Sequence, residues 1–442
     1  MKSATMISWD FDPFYIRGGS AYATRRLAEQ LTGLGIETRV LFPDRPNTRG
    51  RPQITRLLKP TPVRIHDRFR SAPRLLQCAE FCRAALESIE QINTTSGADT
   101  VIAHSDEGAM YFVMRNGNRS PAPAVFWLHS LYDPPIEDFS NEQRRLLPSQ
   151  SLLASAVMMA EIVVTSKGIL KDAEAFDWPD RLKELQRALL NASAEHRVLT
   201  VESVGCLPVV PKTSATETSF DSNLDALKNL TSPYVLFPCR PMIDKGVGIF
   251  AAIAERLRAA NIAFVAVRAP GQSLSLPEPF RNGLIHWLPW LSQEDLLTAM
   301  RHAACTVLPS ITEGFGLAAA ESISAGVQTL YHEVGGHHGL REHPHAQRVP
   351  LTTTEREQLY RLWSDLIVTN PDSWAVWTRY ESSLRPLVDK WVDSIRSTIS
   401  KANGATAEMR KPERAREPQA EEQWGNRLRR RIEMENSVSN PQ

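Results

Sequence analysis

The chain has 442 residues, enough for two or three domains at roughly 100–200 residues each. Its 51 Lys and Arg and 50 Asp and Glu nearly cancel, leaving a net charge of +1, which disfavours a wholesale electrostatic grip on nucleic acid or an anionic membrane. Apolar residues make up 42% of the chain, ordinary for buried cores, yet no apolar run reaches the roughly 18–20 residues that span a bilayer, so no transmembrane segment is expected.

Read from the N-terminus, Met1 to Trp9 lacks the apolar core of a signal peptide, and a cytoplasmic protein is expected. Strand-like and helix-like stretches then alternate, which predicts an α/β architecture with parallel sheets. Met6–Trp9 reads as a first strand, followed by Gly18-Gly19-Ser20 and a helix over Tyr22–Leu34 that Gly35 ends. Further strands are expected at Thr38–Pro43, Thr100–His104, Ala124–His129 and Glu161–Ser166, with a weaker candidate from Val198. The polar stretch 212–231 fits a linker plus a short helix. A second alternating series follows, with strands at Tyr234–Phe237, Ala263–Val267, Leu284–Leu288, Ala304–Ser310 and Gln328–Tyr331 and helices at Gly246–Ala259 and Glu294–Ala303. Tyr360–Ile399 reads as helix in two or more pieces. Residues 401–442 carry many charges and few apolar partners, and disorder is expected there. The five cysteines are scattered without zinc-like spacing, and buried, reduced thiols are the plain reading.

The densest chemistry lies in Glu313-Gly-Phe-Gly-Leu-Ala-Ala-Ala-Glu321. A short buried strand runs into a glycine turn and then an alanine-rich helix. The N–H groups of Phe315, Gly316 and Leu317 at such a helix N-terminus attract phosphate. Glu313 stands at the mouth and Glu321 about two turns in. Taken alone, the two acids read by default as an exposed loop acid and a helix-surface acid. Upstream, Arg240 and Lys245 sit on a loop entering a helix, spaced so that two cations can reach one diphosphate and neutralise its charge. As isolated residues they too read as surface charges. His332, His337, His338, His343 and His345 crowd one stretch, but without the fixed spacing of a metal site, so no metal is expected.

Together, the Glu313–Glu321 motif, the Arg240/Lys245 pair and Glu333-Val334-Gly335-Gly336 resemble the nucleotide-sugar domain of GT-B glycosyltransferases, in particular the retaining family called family 4. The resemblance implies two Rossmann-like domains facing across a cleft, with a C-terminal crossover helix. The expected division is an acceptor domain over 1–211, a linker over 212–231, a nucleotide-sugar domain over 232–381, and a helix over 382–400 returning to the first domain. It also implies that Arg240 and Lys245 hold the diphosphate, Glu321 the ribose and Glu313 the transferred sugar. Trp290 lies in the loop near the base, where stacking competes with packing under the loop.

The first half resembles the acceptor domain of the same enzymes. Gly19 is expected to meet the diphosphate from the opposite side, and His129, at the end of a strand, to face the donor sugar. His104, Asp106, Asp10, Asp12, Tyr15, His337 and His338 are the remaining candidates for contact with the acceptor or sugar. Ser166 is expected to cap the helix that starts at Lys167. The implied activity is metal-independent, retaining glycosyl (hexosyl) transfer without a cofactor, from a UDP- or GDP-sugar to a small soluble acceptor of the secondary-metabolite or thiol type. Two rivals share the phosphate grip: a nucleotide-sugar epimerase or hydrolase, and a non-catalytic binding subunit.

Overall fold

The computed structural model of the chain describes residues 3–9, 11, 19–44, 58–66, 74–95, 100–115, 123–129, 131, 149–178, 180–201, 224, 227, 230, 232–268, 283–368, 374–404 and 426–434. The chain divides into two units. One holds Met1–Glu174, Asp180–Cys206 and Pro418–Gln442, and the other Ala175–Pro179 and Leu207–Glu417.

The first unit is built on seven strands: β1 (Ser3–Ile7), β2 (Glu37–Pro43), β3 (Leu58–Val63), β4 (Val101–His104), β5 (Ala124–Leu128), β6 (Ile162–Ser166) and β7 (Val198–Val201). Their order is β3-β2-β1-β4-β5-β6-β7, and all pairs are parallel. Strands covered on both faces should read as continuous apolar runs. Ala124-Val-Phe-Trp-Leu128 and Ile162-Val-Val-Thr-Ser166 do so and are wholly buried. The connecting helices are α1 (Gly19–Gly33), α2 (Arg74–Thr95), α3 (Ser105–Met114), α4 (Ser149–Met159), α5 (Lys167–Ala175) and α6 (Lys183–Ala194). Ser166 Oγ accepts the Ile169 N–H at 3.1 Å, so the expected helix cap is present.

The second unit carries β8 (Tyr234–Phe237), β9 (Ala263–Val267), β10 (His286–Leu288), β11 (Cys305–Leu308), β12 (Thr329–His332) and β13 (Ala346–Val349). They form a parallel sheet in the order β10-β9-β8-β11-β12-β13. Its helices are α7 (Val247–Arg256), α8 (Gln293–His302), α9 (Leu317–Ser324), α10 (Thr353–Val368) and α11 (Trp374–Gly404). Each sheet thus reverses direction beside its first strand, between β1 and β4 and between β8 and β11. The carboxyl ends of strands at such a switch point are where open α/β sheets bind ligands.

Four details differ from the sequence reading. β3 went unread because it holds Pro60 and Pro62; it is an edge strand, the position where prolines are tolerated. Leu224 and Leu227, in the expected linker, pack with Tyr234, Leu236, Val265 and Leu288 in the second unit's core. Residues 382–400, expected on the first domain, are grouped with the second unit. The apolar stripe of Leu384, Leu387, Trp391 and Ile395 recurs at helical spacing and is buried, and α11 packs along α7 and α10. Finally, the tail is not all irregular: residues 426–434 form a helix, α12, that buries Leu428 and Ile432 one turn apart.

Candidate functional site

The second unit's switch point is assembled from two loops. One leaves β8 and enters α7, and the other leaves β11 and enters α9. The Asp244 carbonyl ties them together by accepting the N–H groups of Ile311 at 2.8 Å and Thr312 at 3.3 Å. Lys245 follows Asp244, and Glu313 follows Thr312, so this backbone clasp sets the two charged side chains against each other. Lys245 Nζ donates to Glu313 Oε1 at 3.1 Å and lies 3.4 Å from Asp244 Oδ2. Ser310 Oγ donates to Glu313 Oε2 at 3.3 Å, and His337 Nε2 lies 4.0 Å from the same oxygen.

Burial opposes charge on both partners, and each overcomes it through the other. For Glu313, the Lys245 ammonium and the Ser310 hydroxyl hold the carboxyl below its ordinary range against burial. For Lys245, Glu313 and Asp244 outweigh desolvation and push the ammonium up. Burial, then the nearby carboxylates, keeps the neighbouring Cys239 thiol protonated. Arg240 is exposed at the start of the same loop, and among the described residues its guanidinium pairs with no carboxylate.

Both helices at this point open on a left-handed glycine: Gly246 before α7 and Gly316 before α9. No side chain caps either helix; the Val247 N–H of α7 turns back to the Met242 carbonyl at 3.4 Å, whereas the first N–H groups of α9 are left for a ligand or solvent. At Gly316 (φ +67°) a Cβ would also lie 2.6 Å from His337 Cδ2, so only glycine fits. Gly335 (φ +46°) presses on the Glu313 backbone, where a Cβ would run into the Glu313 carbonyl oxygen. The Glu333-Val-Gly-Gly stretch therefore supports Glu313 from below.

The other expected residues fall as follows. Phe315 is buried, Leu317 is the first residue of α9, and Glu321 is half-buried in its second turn. Trp290 is 41% exposed on the loop after β10. His338 Nδ1 lies 3.7 Å from Glu333 Oε1. Burial works against the charge of Glu333, but hydrogen bonds from Arg341 and Arg348 bring its carboxyl down to about 2. Among the described residues no three His, Cys, Asp or Glu side chains gather as metal ligands.

In the first unit, His104 ends β4 and His129 follows β5, and the two rings meet. His104 Nδ1 lies 2.9 Å from His129 Nε2 and 3.4 Å from Thr24 Oγ1, which reaches Ser8 Oγ at 3.1 Å. The Trp127 indole stacks on His129 at 4.7 Å and sits 4.9 Å from His104. Desolvation holds both imidazoles neutral: His129 falls to about 3, and His104 well below its ordinary value with His129 as a second cause. Gly19 is the first residue of α1. Asp106 lies in the first turn of α3, but its side chain falls outside the described residues, as do Asp10, Asp12 and Tyr15.

Asp244, Ser310, Ser8 and Thr24 were not read from the sequence. The first two are near neighbours of Lys245 and Glu313, which is the only signal they carry. Thr24 lies inside a helix and carries none.

Two parallel-sheet, Rossmann-like domains in one chain fit the GT-B fold, and comparison with known proteins agrees. Residues 232–358 match the family described as "Glycosyl transferases group 1". An uncharacterized glycosyltransferase of Bacillus subtilis (strain 168), YqgM, is 42% identical over 52 residues, which are 12% of this chain and 14% of that protein. Sucrose-phosphate synthase from Thermosynechococcus elongatus superposes with a TM-score of 0.56 at 16% identity, covering 88% of this chain and 99% of that one. The catalytic domain of starch synthase IV from Arabidopsis thaliana, bound to ADP and acarbose, gives 0.56 at 14% identity, covering 90% and 99%. No described helix is long and apolar enough to cross a membrane.

Proposed function

We propose that the chain is a glycosyltransferase of the retaining, family 4 type, which moves a sugar from a nucleoside-diphosphate sugar to a small acceptor. The observation that carries this reading is the Lys245–Glu313 pair at the β8/β11 switch point, inside the stretch that matches a glycosyltransferase family. As the glycosidic bond breaks, negative charge gathers on the departing diphosphate. Lys245, the exposed Arg240 and the uncapped N–H groups of α9 supply fixed positive charge for it, and no bound metal is needed in this scheme. Glu313, held ionised, accepts hydrogen bonds from hydroxyls of the transferred sugar, and Glu321 from the ribose. Retention follows if the acceptor attacks the face the diphosphate leaves, with a phosphate oxygen taking the acceptor's proton.

The neutral His104–His129 pair lines the acceptor and sugar side. An uncharged imidazole can exchange hydrogen bonds with hydroxyls without attracting the diphosphate itself. The donor nucleotide is UDP or GDP, no cofactor takes part, and the compartment is the cytoplasm. The test is a thermal-shift series with UDP, GDP, ADP and dTDP, followed by product analysis with the matching nucleotide-sugars. A ligand that binds only the folded state raises the midpoint, by about 2.7 kcal/mol of apparent stability at a hundred times its Kd. A shift with one nucleotide, and sugar transfer with its anomeric configuration kept, is expected. Silence from all four, or release of free sugar or an epimer alone, would overturn the reading.

A further inference from the structure

The site leaves one buried group unexplained. His332 ends β12 with no exposed surface, and all its polar atoms are engaged. Its Nδ1 lies 3.2 Å from the Ser310 carbonyl, which can only accept, so Nδ1 carries the proton. Its Nε2 lies 2.7 Å from the indole Nε1 of Trp391, which can only donate, so Nε2 carries none. Its backbone carbonyl accepts from His337 Nδ1 at 2.9 Å. The ring is thus fixed as a single neutral tautomer between β11 and α11. Burial keeps it neutral, holding it near 3, because a second proton would displace the Trp391 donor.

What His332 fixes is informative. Its ring binds the backbone of Ser310, and its carbonyl orients His337. Ser310 Oγ donates to Glu313 Oε2 at 3.3 Å, and His337 Nε2 packs 4.0 Å from the same oxygen. Lys245 holds the other oxygen, Oε1. His337 is itself fully buried and held below its ordinary value by burial. Its Nδ1 proton goes to the His332 carbonyl, so its Nε2 carries none and, with no hydrogen-bond partner among the described residues, packs beside Glu313 without donating to it.

We propose that His332, locked by Trp391, is the positioning residue that orients the Glu313 carboxylate through Ser310, with the His337 ring held as packing beside it. Lys245 sets one oxygen of that carboxylate and the His332 hub sets the other. Rotation of the carboxylate plane, which decides which sugar hydroxyl it meets, is thereby controlled from α11. Metal-ligating histidines in proteins follow the same principle, in which an outer hydrogen bond fixes the orientation of the group that makes the contact. The kinetic consequence rests on the glycosyl transfer proposed above, whereas the structural one does not.

The test therefore has two readouts. Trp391→Phe removes one N–H and keeps the packing, His332→Phe removes both ring hydrogen bonds, and His332→Asn keeps a donor for Ser310. The first readout is the Glu313 carboxyl titration, followed by carbon NMR of glutamate-labelled protein. The groups facing Glu313 are Lys245, Ser310 and His337, with Asp244 and Cys239 close by. His332→Phe and Trp391→Phe are expected to raise its midpoint by about half a pH unit or more. His332→Asn is expected to fall between them and the wild type.

The second readout is steady-state kinetics. The kcat is expected to fall about tenfold in His332→Phe and Trp391→Phe, with partial recovery in His332→Asn. The Kd for the free nucleoside diphosphate is expected to stay within about twofold, because that ligand lacks the sugar. An unchanged Glu313 midpoint in both Phe variants would overturn the positioning role. Equal losses of kcat and nucleotide affinity would overturn it as well, since they would mark general collapse of the site. A wild type that transfers no sugar, with the midpoint still moving in the variants, would remove the glycosyl-transfer proposal and leave the positioning network standing.

Discussion

The two sheets share one strand order and place their polar clusters at the same kind of location, yet the clusters are chemically opposite. Beside β8 and β11, a buried ammonium and carboxylate hold each other ionised. Beside β1, β4 and β5, two imidazoles, two hydroxyls and an indole surround each other with no formal charge. Topology fixes where a ligand can sit, and the side chains at the switch point fix which ligand. A charged point suits a diphosphate whose charge grows during reaction. A neutral one suits an uncharged polyol or a nucleophile that has to lose a proton.

The sharpest way to break this contrast is to remove its charge. Lys245→Met leaves Glu313 buried without its cation. We expect transfer to fall by about 10²–10³-fold, and stability by about 3–5 kcal/mol in urea unfolding. Glu313→Gln keeps the shape and loses the ionised acceptor. It should lower kcat about 10²-fold while leaving nucleoside-diphosphate affinity within a few fold, measured by initial rates and calorimetry. Arg240→Ala separates binding from folding, because the side chain is exposed. Affinity for the diphosphate should fall about tenfold, with stability unchanged within about 0.5 kcal/mol.

A smaller effect sharpens the neutral side. His129 is held at about 3 in the folded protein and returns to its ordinary 6.5 on unfolding. Between those values the unfolded chain binds the extra proton and the folded one does not, so stability is lost as pH falls below about 6.5. Replacing His129 with Asn should remove one proton from that slope, about 1.4 kcal/mol per pH unit, when unfolding is followed between pH 4 and 7. The charged side has the carboxylate form of the same dependence. The lowered Glu313 contributes stability above its ordinary range, and this is lost as pH falls through its folded value.

Much of this was legible in the sequence, for physical reasons. Buried parallel strands are continuous apolar runs, so β5, β6, β8 and β9 stand out. Lys245 and Glu313 each read alone as a surface charge and stand out only together, through a spacing that resembles a known family. β3 was hidden by its prolines, and α12 by the charges around Leu428 and Ile432. The site's inner supports were hidden for a deeper reason. The Asp244 clasp is made by a backbone carbonyl, which every residue has. Trp391 reads as core until β12 brings His332 against it, 59 residues away in sequence. Contacts of that kind exist only once the sheet has formed.

The central claim is that the charged switch point holds the nucleoside diphosphate and the neutral one does not. Titration calorimetry of UDP and GDP into wild type, Lys245→Met and His129→Asn tests it most directly, with the fold of each variant checked by circular dichroism. The account predicts that one nucleotide binds the wild type and His129→Asn alike and fails to bind folded Lys245→Met. Equal affinity in wild type and Lys245→Met, or loss confined to His129→Asn, would contradict it.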